Sequence, residues 1–307
     1  MEQNYLNLLS HILDEGEERS DRTGVGTLSV FATQQLSFDL SLGFPLLTTK
    51  KMSFRQIAAE LLWFIEGSSD ERRLAEITHG SRDPTRSTIW TANAAADYWK
   101  GGKFPGDLGR VYGVQWRRWR HNQVIDHRDE IEHGGGDKTY LGAKVVQTEH
   151  DQLSRVIETL KTNPHDRRML ITALNVGELD QMALPPCHLL MQFYASKKTG
   201  KLSCQVYQRS VDTLLGLPYN IASYATLVHM IAQVTSFEPG TLSFSLGDTH
   251  IYLNHVEAVK QQLSRTPRVL PMLELDKDVR SIDDFKLDSF KLLGYDPYPP
   301  ISAKMAV

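Results

Sequence analysis

Apolar and polar positions change rhythm several times along the chain, and each change predicts an element. Residues 4–14, "NYLNLLSHILD", repeat apolar side chains at helical spacing and predict a short amphipathic helix. "GTLSVFATQQLSFDL" (26–40) alternates loosely and predicts a strand or a bent pair of strands. "FRQIAAELLWFIEG" (54–67) is apolar at helical spacing and should stop at Gly67. Further on, "DQLSRVIETLKTNP" (151–164) predicts a helix stopped by Pro164, and "MLITALN" (169–175) a strand. "LPYNIASYATLVHMIAQVT" (217–235) predicts a long buried helix, and 240–263 a strand, a turn and a helix. Two segments have neither rhythm. "KGGKFPGDLG" (100–109) reads as loop, and "HRDEIEHGGGDKTYLGAK" (127–144) as a polar, glycine-bearing insertion and the most mobile part of the chain. Strands and helices interleave without a strict βαβ order, which predicts an α/β or α+β class with a mixed sheet. No internal repeat and no linker divides the chain, so one domain over 1–307 is expected.

The clearest alternation surrounds a turn. "HLLMQFYAS" and "KLSCQVYQRS" flank "KKTG", a hairpin signal. If Ser196 and Lys201 close the loop, Cys204 faces Phe193, and Cys187 lies opposite Ser210 beside Arg209. Cys204 then sits between Leu202 and Val206 as core filler. Cys187 follows Pro185 and Pro186, which fix the backbone leading into the strand. Its spacing fits a small buried residue as well as a nucleophile, and a neighbouring guanidinium would lower its pKa.

The 307 residues carry a formal net charge of -3 and are 41% hydrophobic. That balance argues against nucleic acid or a membrane surface as the main partner, while leaving room for local anion sites. Two cysteines make no disulfide framework, so a reducing cytoplasm is the expected compartment. No secretory leader and no membrane span are expected. Arginines cluster where a fold has little structural need of them: Arg22 in "DRTGVGT", Arg167 and Arg168 in "HDRRML", Arg209 in "YQRSVD". Each alone fits a solvated surface, whereas together they suit bidentate phosphate recognition. "GDTHIYLNH" sets Asp248, His250 and Tyr252 on one strand face, fit for sugar hydroxyls or for a simple polar cluster. His229, His250 and His255 lack metal-ligand spacing, so no metal is expected. Glu60, inside an apolar helix, fits either a proton-transfer group or a solvent-facing carboxylate.

These residues carry a resemblance. "DRTGVGT", "TTKK", "ELLWF", "TIW", "VYGVQWR", "DRRM", "ALPPCH", "YQRSVD", "GLPYNIASYA", "GDTHIYLNH" and the terminal "MAV" occur in the order seen in thymidylate synthases, from about residue 2 to 307. The resemblance implies a mixed sheet wrapped by helices and a homodimer packed sheet against sheet. It implies methylation of dUMP at C5, with 5,10-methylenetetrahydrofolate as one-carbon donor and reductant and dihydrofolate released.

It also assigns roles. Cys187 matches the nucleophile that adds to C6 of uracil, and Glu60 the organiser of proton transfer through water. Arg22, Arg209 and Ser210 match the phosphate site, completed by Arg167 and Arg168 from the other subunit. His250 and Tyr252 match the ribose contacts, Asn220 the base edge, and Gln208, Val211, Asp212 and Ile251 further nucleotide contacts. Tyr112 and His188 match the remaining catalytic lining. Ser53, Trp90, Asp212 and Ala306 match the folate side, Ala306 within a C-terminal segment that folds over the folate.

Some positions depart from the family pattern. Many bacterial members carry a histidine at the place of Ser53, an aspartate often follows the tryptophan of "TIW", and a proline often stands where this chain has Arg110. A dCMP hydroxymethylase would favour an aspartate at Asn220. A dUMP hydroxymethylase would keep the asparagine and is the alternative activity. A binding protein descended from an enzyme would have lost the cysteine or an arginine, and none is missing.

Overall fold

The computed structural model describes residues 1–21, 23–32, 35–126, 129–132, 135–136, 138–142 and 144–304. Arg22 and Ala306 lie outside the described residues. The chain opens with α1 (Glu2–Glu15), which buries Tyr5, Leu8, Leu9 and Ile12 as its rhythm requires. Then come β1 (Glu17–Arg19), β2 (Thr27–Phe31) and β3 (Leu36–Asp39), so the 26–40 stretch is the bent pair. Ser53 caps α2 (Phe54–Ile65) through its hydroxyl, and Gly67, at φ +64°, takes the left-handed position that ends it. The helices α3 (Glu71–His79), α4 (Thr91–Ala94) and α5 (Tyr112–Arg117) follow.

The described residues of 119–150 place strands in and beside the expected polar insertion. They form β4 (Trp119–Asp126), β5 (Asp129–Glu132), β6 (Lys138–Leu141) and β7 (Lys144–His150). β4 pairs with β7 and β5 with β6, both antiparallel, making an arm outside the main sheet. β4 and β7 bury no side chain, so no alternation marks them in the sequence.

Asp151 caps α6 (Gln152–Thr162), which stops before Pro164. The core then continues through β8 (Leu170–Thr172), β9 (His188–Ser196), β10 (Lys201–Asp212), α7 (Gly216–Val234), β11 (Glu238–Tyr252), α8 (Val256–Leu263), β12 (Met272–Leu275) and β13 (Phe290–Leu293). The main sheet runs β1-β2-β11-β10-β9-β8, with β3 also on β11. Among the described residues, only β10 and β11 pair in parallel. A parallel pair needs a crossover, and α7 supplies it, buried on nearly all sides. The mixed α/β expectation holds. Helices cover one sheet face, while Leu190, Gln192, Tyr194, Gln205 and Tyr207 stay exposed on the other. Among the described residues, no helix is long and apolar enough to cross a membrane.

The hairpin register follows the sequence up to a point. Lys201 pairs with Ser196, Cys204 with Phe193 and Tyr207 with Leu190. The register then slips, pairing Gln208 with His188. The Arg209 N–H donates to the Cys187 carbonyl at 2.8 Å, so Cys187 faces Arg209 rather than Ser210. A bulge of this kind bends a strand and re-aims the side chains beyond it.

Candidate active site

The bulge and the double proline together fix the surroundings of Cys187. Arg209 Nε donates to the Pro186 carbonyl at 2.8 Å, and a terminal guanidinium nitrogen to the Pro185 carbonyl at 3.0 Å. The Cys187 N–H donates to the Tyr112 hydroxyl at 2.8 Å. Burial pushes the Cys187 thiol above its ordinary range, and Asp212 adds to that, while Arg209 and the Tyr112 hydroxyl pull it down. Burial wins, which corrects the expectation of a lowered pKa. A thiolate formed against that bias is the stronger nucleophile, because nucleophilicity falls as thiol pKa falls. Cys204 has no such counterweight and burial raises it much further, as core filler should.

Tyr112 belongs to an aromatic cluster. Its ring stacks on His188 with centroids 4.2 Å apart and on Phe64 at 5.2 Å, and meets Trp90 edge-on at 5.7 Å. His188 Nδ1 shares a 2.7 Å hydrogen bond with the Tyr224 hydroxyl. Burial lowers the His188 pKa to about 3, so the imidazole is neutral at working pH and acts by hydrogen bonding rather than charge. Glu60, on α2, accepts the Trp90 indole N–H at 2.7 Å. Burial pushes its pKa up to about 7, and the indole restrains that rise. A carboxylic acid poised there can take or give a proton near neutrality.

On the β10 side, Gln208 is buried and donates to the Ser210 carbonyl and to Asn220 Oδ1, each at 3.2 Å. That turns the Asn220 oxygen toward Gln208 and leaves its amide nitrogen for another acceptor. Asp212 accepts the Leu214 and Leu215 N–H groups at 3.1 Å each, just before α7. His250 stands beside Asp212 in the parallel register, donates Nδ1–H to Asp248 at 2.9 Å, and meets Tyr252 edge-on at 5.3 Å. Val211 and Ile251 are fully buried. Ser53 caps α2, and its N–H reaches the Tyr219 hydroxyl.

Two of the proposed phosphate groups stand apart. Arg167 and Arg168 are exposed, Arg168 within 3.6 Å of Asp166. Gln192 donates to the Arg167 carbonyl, five residues along β9 from Cys187. At about 3.3 Å per residue that is roughly 16 Å away. The chain does not bring them to its own thiol.

Lys50 escaped the sequence reading, although "TTKK" marks its place. It is buried, donates to the Leu214 carbonyl, and burial lowers its pKa to about 8 against the pull of Asp212. Among the described residues, no cluster of three or more His, Cys, Asp or Glu could hold a metal. A cavity of about 540 Å³ opens elsewhere, lined by Asp70, Lys103, Asp107, Arg118 and Glu149 among others. It has no cysteine or histidine, and the thiol chemistry is not there.

The family model described as thymidylate synthase matches residues 3–307. A curated relative, the thymidylate synthase of Saccharomyces cerevisiae, is 46% identical over 318 aligned residues, spanning 100% of this chain and 97% of the relative.

Proposed function

We propose the following reading of the site for this chain, which belongs to the thymidylate synthase family and methylates dUMP at C5 to give dTMP. The single observation that carries it is Cys187 held between the Arg209 guanidinium and the Tyr112 hydroxyl, with Glu60 in the same aromatic cluster. An unactivated pyrimidine C5 is a poor nucleophile. Addition of Cys187 Sγ to C6 turns C5 into an enolate-like carbon and splits one hard step into two easier ones. Tyr112 and Arg209 stabilise the sulfur while it is an anion. Glu60 holds the proton that must move at the base, and Trp90 holds Glu60. When bound, 5,10-methylenetetrahydrofolate supplies both the one-carbon unit and the hydride.

Asn220, with its oxygen turned toward Gln208, offers its amide N–H to the uracil O4 edge. His250, fixed by Asp248, works with Tyr252 on the ribose hydroxyl. Arg209, Ser210 and Arg22 hold the phosphate, with the backbones of Val211 and Ile251 against the nucleotide. Arg167 and Arg168 serve the site of a second subunit. That reading is supported by their distance from their own Cys187 and by the uncovered sheet face bearing Leu190, Tyr194 and Tyr207, fit to be buried in a homodimer. Asp212, Ser53, Trp90 and Ala306 belong to the folate side. The two cysteines are free thiols, which suits a reducing cytoplasm. The comparisons do not favour the hydroxymethylase alternative, and methyl against hydroxymethyl in the product separates the two.

The test is intact mass of the protein after incubation with 5-fluoro-dUMP and methylenetetrahydrofolate. An adduct on the peptide containing Cys187 is expected, and an adduct elsewhere or none overturns the reading.

A further inference from the structure

Another glutamate, fully buried, is linked to Glu60 through a chain of hydrogen bonds. Glu71 opens α3 and is 2% exposed. Its Oε1 accepts the Thr88 and Thr91 hydroxyls at 2.6 Å each. Arg72 grips both carboxylate oxygens at 2.6 Å and donates to the Asp83 and Arg86 carbonyls at 2.8 and 3.1 Å. The segment 83–91 is thus fastened to the start of α3 by charge-assisted hydrogen bonds, the stronger kind. The Thr88 hydroxyl also accepts the Trp90 N–H at 3.1 Å, and the Thr88 N–H donates to the Thr91 hydroxyl at 2.8 Å. Trp90, bracketed by the two threonines, then points its indole N–H at Glu60.

Fastening a surface segment does not require a buried ion pair, since apolar packing serves as well and avoids desolvating two charges. What this network supplies is direction, because carboxylate, hydroxyls and guanidinium each have fixed bonding geometry. We propose that Glu71 is a positioning residue which, through Thr88 and Thr91, holds Trp90 so that its indole N–H stays on Glu60. The inference rests on the reading of Glu60 as the proton-transfer group and adds to it a support built from outside the cavity.

The groups facing Glu60 define what would change. Tyr112 on α5 and Tyr219 and Tyr224 on α7 lie within its electrostatic reach, and none is anionic near neutral pH because burial raises each phenol. The indole bond is the restraint that opposes burial at Glu60. Turning the indole away would let the carboxyl retain its proton to higher pH.

Thr88→Val removes the hydroxyl and keeps the shape, and Thr88→Ser restores the hydroxyl. Thr88→Val should lower kcat by about tenfold, in line with small misplacements at a reacting group. It should also move the Glu60 limb of the kcat–pH profile upward by about half a unit, the size expected from losing one hydrogen bond to the charged form. The dUMP Kd should stay within about twofold, since no base contact is touched. Thr88→Ser should restore both readouts, and Thr91→Val should show the same shift if Thr88→Val folds poorly. A Thr88→Val or Thr91→Val enzyme with lowered Tm and an unmoved profile would show a merely structural network and overturn the proposal. Glu60→Gln serves as the control. If it keeps turnover, the reading of Glu60 is wrong, whereas an inactive Glu60→Gln beside an unmoved Thr88→Val profile sinks the positioning role alone.

Discussion

The molecule contains two antiparallel strand pairs of opposite character. β9 and β10 bury Met191, Phe193, Ala195, Leu202, Cys204 and Val206 on one face and leave Gln192, Tyr194, Gln205 and Tyr207 on the other. β4 and β7 hold a comparable ladder, yet every described side chain on them is exposed or half-buried. Backbone pairing is common to both, so pairing alone does not make a site. Only the first pair has a dry side, and a dry side is what raises Glu60, neutralises His188 and makes the charge on Arg209 count at Cys187. Apart from Arg120 and Glu149, which pair with the buried Glu178 and Arg110, the described ionic groups of the arm face water, where exposed pairs are worth about 0–1 kcal/mol.

The largest effect that tests this contrast lies within the hairpin. Cys187→Ser should reduce turnover by about 10⁴-fold or more, as loss of a nucleophile does, while dUMP binding remains measurable. Cys204→Ala, on the same hairpin, should leave kcat within about threefold, as a core change remote from the chemistry does. Comparable losses in the two variants, read from dihydrofolate formation, would contradict the assignment of one thiol to chemistry and the other to packing. Next in size is packing itself. Phe193→Ala should cost about 3–5 kcal/mol in denaturant unfolding, against under about 0.5 kcal/mol for the exposed Val145→Ala on the arm. Similar costs would mean that the arm has a buried face after all.

The same contrast explains what the sequence could disclose. Alternation is a record of unequal faces, so β9 and β10 were legible to the residue, including Cys204 opposite Phe193. The slip after Tyr207 was not, because the strand pattern does not encode a bulge that turns Arg209 toward the carbonyls of Pro185 and Pro186. The stretch 127–144 reads as a polar insertion rather than as strands, and β4 and β7 bury no side chain, so no alternation marks them. The raised Cys187 pKa was missed for a related reason: a neighbouring arginine can be seen in sequence, while burial cannot. Glu60 stands out in the sequence by its apolar helix, but its indole partner lies 30 residues away, and no sequence signal singles out Glu71, farther back in the same network. The charged residues of the site were visible as types, and their alliances were decided by the fold.

Two glutamates sharpen the comparison by pH. The pKa of Glu60 rises from 4.5 to about 7 on folding. Between those values the folded state holds a proton that the unfolded chain has released, so stability falls as pH climbs through the window and stays lower above it. The deficit well above pH 7 is at most about 3.5 kcal/mol, counting about 1.4 kcal/mol per unit. Glu60→Gln should therefore be inactive yet gain stability on wild type between pH 5 and pH 8. Glu149→Gln, on the arm, should show no such growth in the gap. A constant Glu60→Gln difference at both pH values, measured by urea unfolding, would mean that the carboxyl is not held protonated.

The smallest effect concerns the arm as a whole. Val124 already pairs with Val145, so replacing residues 125–144 by Asn-Gly closes the ladder with a two-residue turn whose preferred twist suits an antiparallel pair. The cut removes no described core side chain and no residue proposed for either substrate. Going from residues 125–144 to two is a little over three halvings at about 0.6 kcal/mol each, so easier closure favours the shortened chain by about 2 kcal/mol. The shortened enzyme should keep kcat within about twofold and Tm within about 6 °C, the shift that about 2 kcal/mol produces in a chain of this size. A loss of tenfold or more in kcat with Tm unchanged would make the arm part of the active site, because a wet ribbon that only decorates the fold has no route by which to slow chemistry at Cys187.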